Sequence, residues 1–448
     1  MPKRYEKVEF KSFANGISNT DFIEENAFGN TFQIEIKNNK ASIDEVWTGY
    51  AKPSFGNERD MEVHNGQAYL IDGKKVYKFN GTSFSVFQDL GGFENIGKIF
   101  SVGEKLFVTK GTEGVFLINE QSSLFNHVSG TDGSVEADSG HVALSDDGSI
   151  YFFQSNGTKT NLKKTNDDFV SATTVFNMRS GYSRGSIANI NGFIYFAFEN
   201  KLMRVTKTGV EVAATSDNSA FMFSEFGREY VLLVSGEKGS VIIEYFDGFQ
   251  KKLIKKIKNG NTSEGEPFFD GHYTYIEIYS EEGPTSSIFK IDKEGNSFKI
   301  FEANISLGYP STWVTRNWGG TIIFSSANDS KWYKRTADVF STAGYIESGI
   351  ISKGEHAPIR IIARHKPLLS NTGIKIYYSK DRSGSYGASV FTNAVAGSVR
   401  TEYDFPNTVG KVSFMELKIE LTSSDSTKTP EDVEFDYIYK PLGLETSV

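Results

Sequence analysis

The chain contains no cysteine. That absence removes disulfides, thiolate metal sites and cysteine nucleophiles together. It leaves the compartment open, because a domain of this size does not depend on disulfides. Long apolar runs are missing too: none approaches the roughly 20 residues that a membrane-spanning helix needs. The opening "MPKRYEKVEF" carries charges with no apolar stretch behind them, so neither an export leader nor membrane insertion is expected. Charge of one sign is not gathered into blocks. The net charge of −8 comes from interspersed acids and bases, and with no basic stripe nucleic acid is not an expected partner. Ala/Leu/Glu/Lys-rich stretches are few, which predicts little helix.

What the sequence has instead is aromatic residues and glycine: 14% Phe, Trp and Tyr, with 43 Gly. That mixture favours strands joined by turns. A repeating unit runs through the first three quarters of the chain. Around its turn glycines it reads "NGQAYLI" (Gly66), "VGEKLFV" (Gly103), "DGSIYFF" (Gly148), "NGFIYFA" (Gly192), "FGREYVLLV" (Gly227), "DGHYTYIEI" (Gly271) and "WGGTIIFS" (Gly320). Partner strands follow at "KVYKF" (75–79), "GVFLI" (114–118), "KLMRV" (201–205), "SVIIEYF" (240–246), "SIFKI" (287–291) and "KWYKR" (331–335). Asn-Gly and Asp-Gly supply the positive φ angles of tight hairpin turns. The spacing is that of a four-stranded β-propeller blade, a unit that cannot bury both faces alone and so repeats until a ring closes. Seven copies predict seven blades, and segment 30–53 offers strands to complete the last. Stacked sandwiches or a solenoid are the alternative, although a solenoid period is usually shorter and more regular.

Beyond residue 342 the pattern changes to strict alternation. Ile374, Ile376 and Tyr378 share one strand face, as do Leu417, Ile419 and Leu421, and Val433, Phe435, Tyr437 and Tyr439. This predicts an antiparallel β-sandwich. The expected organisation is all-β: an extended N-terminal arm over 1–43, a seven-bladed β-propeller over 44–342 and a C-terminal β-sandwich over 343–448.

Candidate chemistry is sparse. "GYSRG" (181–185) places Ser183 in a G-x-S-x-G pattern, but the strand-to-helix turn which gives that motif meaning is not expected there. "SDDGSIYF" (145–152) and "SKDRSGSY" (379–386) are similar to the Asp-box turns of sialidases. Such an enzyme would need clustered arginines as well, and Arg179, Arg184, Arg204, Arg228 and Arg316 show no telling spacing. His64, His127, His141, His272, His356 and His365 have no metal-binding spacing and are read as turn or surface residues. Asp132, Glu136 and Asp138 share a Gly/Ser-rich loop that lacks EF-hand spacing and is read as solvated. Trp313 and Trp332 are read as core of the closing blade. No catalytic, cofactor-binding or metal residue is assigned, and no cofactor is expected.

The segments "FANGIS", "NAFGNTFQIEI", "YIESGII", "HKPL", "IKIYYSKD", "LKIEL" and "TPEDVEFDYIYKPL", taken in order, resemble a group of virion-associated tail and neck proteins of tailed bacteriophages. That resemblance implies a structural, non-enzymatic virion protein made in the host cytoplasm. It also implies other virion proteins as partners, repeated copies on a symmetric assembly, and contact with host-surface glycan as an added role. It carries no catalytic residue. The alternative function is a carbohydrate-binding or glycoside-cleaving, sialidase-like propeller acting on host glycans.

Overall fold

The computed structural model describes residues 6–10, 30–32, 34–37, 40–43, 45–51, 58–92, 96–110, 114–118, 124–126, 142–155, 160–166, 172–178, 187–216, 222–226, 229–237, 240–258, 260–262, 267–280, 285–292, 297–304, 314–318, 321–325, 331–381 and 386–442. Among them the structure is all-β, relieved by one short 3-10 turn at Asn407–Val409. The chain divides into two compact units. One comprises 48–287 and 303–335, and the other 1–47, 288–302 and 336–448. The expected organisation is an arm, a propeller and a sandwich divided at 43/44 and 342/343; the two units divide at 47/48 and 335/336, with 1–47 grouped with the C-terminal residues and 288–302 in the second unit.

The first unit is a series of four-stranded antiparallel meanders, each in chain order. The first sheet consists of Glu58–His64, Gln67–Asp72, Lys75–Phe79 and Phe84–Asp89. The second consists of Lys98–Val102, Lys105–Lys110, Gly114–Ile118 and Leu124–Asn126. The third is built from Val142–Leu144, Ile150–Ser155, Thr160–Thr165 and Ala172–Met178. The fourth is built from Ile187–Ile190, Phe193–Phe198, Lys201–Thr206 and Gly209–Thr215. Met222–Phe226, Tyr230–Glu237, Ser240–Phe246 and Lys251–Lys258 make the fifth.

Local chemistry sets these hairpins. Asn65 and Gly66 take φ 47° and 71°, Asn191 and Gly192 take 52° and 77°, and both pairs link strands in a two-residue turn. Two successive positive φ values match the right-handed twist of the flanking strands, which Asn-Gly reaches at least cost.

Burial follows from stacking the sheets face to face. Tyr69, Ile71 and Val76 of the first sheet pack with Ile99, Leu106 and Val108 of the second. Phe100, Phe107 and Val115 then meet Ile150 and Phe152 of the third. Tyr151, Phe153 and Leu162 meet Ile194, Phe196 and Met203 of the fourth, and Tyr195, Ala197 and Leu202 meet Phe223, Val231 and Leu233 of the fifth. Each fully buried large side chain contributes roughly 1.5–3 kcal/mol, so a sheet with apolar residues on both faces is stable only between two neighbours. A further sheet joins Val314–Trp318, Thr321–Ser325 and Lys331–Phe340 to Glu45–Ala51 from much earlier in the chain. Its Trp332 is buried against Met61, Leu70, Phe79 and Phe84 of the first sheet.

The outermost strands share a device that no motif announced. In the first, third, fourth and fifth sheets the pairing of third and fourth strands slips by one residue at the equivalent place. The extra residues are Phe87, Val175, Ala213 and Ile254. A bulge on an edge strand twists it and spoils it as a template for another chain. The residue before the bulge is left outside: Val86, Val212 and Leu253 are 50–59% exposed.

Among its described residues the second unit contains the two-stranded hairpin Ile34–Lys37 and Lys40–Ile43 and two larger sheets. One is ordered Glu6–Phe10, Glu434–Pro441, His356–Arg364 and Arg400–Asp404. In the other, Ser297–Asn304, Asn30–Phe32, Ala343–Ile351, Met415–Ser423, Thr372–Lys380 and Phe391–Asn393 lie side by side. The segment read as an arm thus supplies strands to both. Alternation behaves as the sequence implies: Leu417, Ile419, Leu421 and Tyr437 are fully buried. Aromatic rings interlock between the sheets, with Tyr378 5.1 Å from Phe405 and Phe405 6.1 Å from Tyr437, both edge to face.

Candidate functional site

Polar side chains in the repeat unit are used chiefly to brace it. In the "SDDGS" hairpin, Asp147 Oδ1 accepts from the Ser149 amide at 2.9 Å and from the Ser145 hydroxyl, while Oδ2 meets Lys164 Nζ at 3.1 Å. The Ser145 hydroxyl, helped by Ser149 and Lys164, holds this carboxyl far below the usual carboxylate range. Asp146 reaches across to the fourth sheet, its Oδ1 accepting from Asn189 Nδ2 at 2.7 Å. The Asp-box resemblance is therefore a turn device here. A different loop, of four residues, recurs as "NGTS", "DGFQ" and "DGHY". Asn80, Asp247 and Asp270 each accept two backbone amides two and three residues on. In Asp247 the Gln250 amide, Lys252 and the Phe249 amide bring the carboxyl down to about 2.

A second repeated arrangement pairs the central tyrosine of a hairpin with a cation directly opposite. Tyr69 faces Lys78, Tyr151 faces Lys164, and Tyr195 faces Arg204. The Nζ atoms of Lys78 and Lys164 lie 5.8 and 5.5 Å from the ring centroids of Tyr69 and Tyr151. Arg204 covers Phe193 at 5.1 Å and donates to Glu211 on the next strand at 2.8 Å. A cation over an aromatic face contributes about 0.5–1 kcal/mol at exposed sites.

The histidine reading needs correction. Of the four that are described, only His272 is exposed, and His64, His356 and His365 are buried. His356 Nδ1 donates to the Gly354 carbonyl at 2.8 Å, leaving Nε2 to accept from the Tyr437 hydroxyl at 2.9 Å. His365 uses Nδ1 on the Lys366 carbonyl and Nε2 on Thr401 Oγ1. Imidazole carries two polar atoms on one flat ring and so fits where two strands each leave one group to satisfy. Burial lowers the pKa of both.

The most concentrated ensemble of functional-looking groups lies on the half-buried face of the second unit's larger sheet. Residues 345, 347, 375, 377, 416, 418 and 420 alternate with core positions and share that face. Lys418 Nζ stands 3.8 Å from the Tyr345 ring centroid, with Tyr386 and Tyr377 at 5.8 and 5.9 Å. Glu420 binds Lys375 Nζ and the Tyr377 hydroxyl, each at 2.8 Å. Burial pushes the Glu420 carboxyl up, but those two partners outweigh it and leave it below its ordinary value. Burial, then Glu420, raises Tyr377 to about 12. The hairpin Ile34–Lys37 and Lys40–Ile43 lies against two strands of this sheet. Tyrosine platforms beside hydrogen-bonding carboxylates suit a sugar or a partner's side chains. The sequence displayed these residues only as the polar half of an alternating pattern.

Several other sequence candidates lie outside the described residues: Ser183, Arg179, Arg184, Arg228, His127, His141, Trp313 and the loop holding Asp132, Glu136 and Asp138. The Arg316 side chain does too. Lys255 was not anticipated: it is buried on an outermost strand, where burial lowers its pKa to about 7. Among the described residues no group of three or more histidines or acids is placed to hold a metal ion, and no helix is long and apolar enough to cross a membrane.

No protein-family model and no curated protein matches the sequence. Solved structures do match in shape. Oligogalacturonate lyase from Vibrio parahaemolyticus is 10% identical with a TM-score of 0.47, over 69% of this chain and 98% of that one. BamB from Moraxella catarrhalis is 12% identical with a TM-score of 0.40, over 69% and 98%. A chain of the mitotic checkpoint complex is 9% identical with a TM-score of 0.47, over 64% and 93%.

Proposed function

We propose that this chain is a non-enzymatic structural protein of a tailed-phage particle, a tail or neck component. In this reading the repeat unit is a closed seven-bladed β-propeller and the other unit a β-sandwich. Closure is carried by one observation. Trp332 of the last sheet packs at 5.2 Å, tilted by 40°, against Phe84 of the first, and strand Glu45–Ala51, which precedes the first sheet, is the outer strand of the last. A ring sealed by strands from its two ends resists opening, as a rigid assembly component must. In this reading the five complete meanders and the sealing sheet are six blades, and Gly260–Thr262, Phe268–Phe269 and Thr274–Ser280, which stay in the repeat unit, belong to the seventh. The structural role is favoured by the use of ionisable groups as braces, Asp147, Asp247, Arg204 and His356 among them. Particle membership rests on the sequence resemblance. Mass spectrometry of purified particles tests it: a fixed copy number that is a multiple of a tail or neck symmetry is expected, and absence from particles overturns it.

A second reading has its own support in the tyrosine face around Lys418, which offers Tyr345 and Tyr377 as stacking platforms. Binding of host polysaccharide, lost in Tyr345→Ala and Tyr377→Ala, would support a glycan-contact role. Release of reducing ends would make the chain an enzyme.

A further inference from the structure

The strand Glu6–Phe10 is the edge of its sheet and pairs with Glu434–Pro441 alone, through five register pairs from Glu6 opposite Tyr439 to Phe10 opposite Phe435. Its anchor is electrostatic. Asp436 is fully buried, and its Oδ2 is shared between Lys7 Nζ at 3.2 Å and Arg364 Nη1 from the strand on the other side. Asp436 Oδ1 accepts no hydrogen bond. Without the terminal strand, Asp436 keeps only Arg364, and one backbone edge of Glu434–Pro441 loses its ladder. Breaking one side of a buried ion cluster is strongly destabilising. The C-terminal strand is thus a receptor for an extended segment carrying a cation at the position of Lys7.

Nineteen residues separate Phe10 from Asn30, the next strand of the same unit. Their contour is roughly 65 Å at 3.3–3.6 Å per residue. A compact unit of this size is only about 40 Å across. A linker of that contour is long enough for the strand to reach the same receptor edge on an adjacent copy, where it would make the same ladder and the same Lys7–Asp436 pair. The balance between the two pairings is then set by linker entropy and local concentration, since the bonds are identical. Exchange of an identical element is a low-cost route to symmetric assembly.

We propose that Glu6–Phe10 is a donor strand that completes the C-terminal sheet of a second copy of this chain, with Lys7 of the donor meeting Asp436 of the acceptor. The proposal rests on the structural reading for the crowding that favours exchange.

The cysteine-free chain makes the test clean. Glu9→Cys and Glu434→Cys are diagonal neighbours on one face of the ladder, Glu9 lying opposite Asp436 and Glu434 two residues on; at about 7–8 Å they are within reach of a short thiol cross-linker and leave Lys7 and Asp436 in place. The two single variants are co-expressed as full chains and cross-linked. A covalent heterodimer is expected that neither variant forms alone, and the double variant should give multimers. Exclusively intrachain cross-linking of the double variant, with no heterodimer at any concentration, overturns the proposal. A second measurement does not depend on those variants folding: native full chain is titrated with a labelled peptide of residues 4–12. Uptake is expected, weakened at least about tenfold by Lys7→Glu in the peptide; no uptake, or equal uptake of both peptides, counts against exchange. A heterodimer in solution from a chain absent in particles would sink the virion reading and leave strand exchange standing.

Discussion

His356 accepts a hydrogen bond from the Tyr437 hydroxyl at 2.9 Å across adjacent strands of the C-terminal sheet, and both groups are fully buried. Because Nδ1 already donates to Gly354, the acceptor role of Nε2 requires a neutral ring. Burial lowers the pKa of His356 and of His365 below the ordinary value near 6.5. The unfolded chain therefore takes up these protons before the folded one does, and stability rises with pH wherever that holds. The histidines' contribution should be full above about pH 6.5 and fall progressively as pH drops below it, levelling off beneath the lowered native values; Lys255, lowered to about 7, adds a loss of the same sign that begins at higher pH. Asp247 and Asp425, held at about 2, do not titrate in that window. Urea midpoints at pH 7.5 and 5.5 check this: the native chain should lose stability at the lower pH, and His356→Gln should flatten part of the slope.

Trp332 supplies the largest apolar side chain shared by the first and last sheets of the repeat unit. Trp332→Ala should cost about 3–5 kcal/mol, as large core truncations do. If these two sheets seal a ring, the loss should spread: hydrogen exchange should quicken in the first and last sheets together. A change confined to Lys331–Phe340 would show that the sheets do not depend on one another.

Gly192 and Gly66 occupy equivalent hairpin turns, with φ of 77° and 71°, but they differ in surroundings. A Cβ at Gly192 would sit 3.1 Å from Asp146 Oδ2, whereas at Gly66 it would meet nothing within 4 Å. Both alanine variants should lose about 1 kcal/mol or more through the positive φ. Gly192→Ala should lose more, and adding Asp146→Ala should recover part of the difference. Equal losses in both turns would show that Asp146 does not crowd the site.

The Lys418 cage invites a double-mutant cycle with Tyr345, whose ring centroid is 3.8 Å from the ammonium. Lys418→Met and Tyr345→Leu should show a coupling of about 0.5–2 kcal/mol in denaturant unfolding, given the partial burial of both. A coupling near zero would mean that solvent screens the contact.

Much of the strand pattern was legible in the sequence. The hairpins at Asn65–Gly66 and Asn191–Gly192 and the strands over 75–79, 114–118 and 240–246 stand where the residues put them, and the buried face of 415–423 alternates as written. Turn chemistry and period-two alternation act between neighbours in the chain, so neighbours suffice to read them. The histidines were misread because burial of a polar ring depends on the groups left over by other strands, here Tyr437 and Thr401.

What only the tertiary structure decided is which distant segments meet. Strand 45–51 joins 331–340, strand 6–10 joins 434–441, and a buried aspartate sits between Lys7 and Arg364. These pairings depend on where whole sheets bring the chain back, and one extended edge offers much the same backbone hydrogen bonds as another. The choice among edges therefore lies in packing and charge contributed from hundreds of residues away.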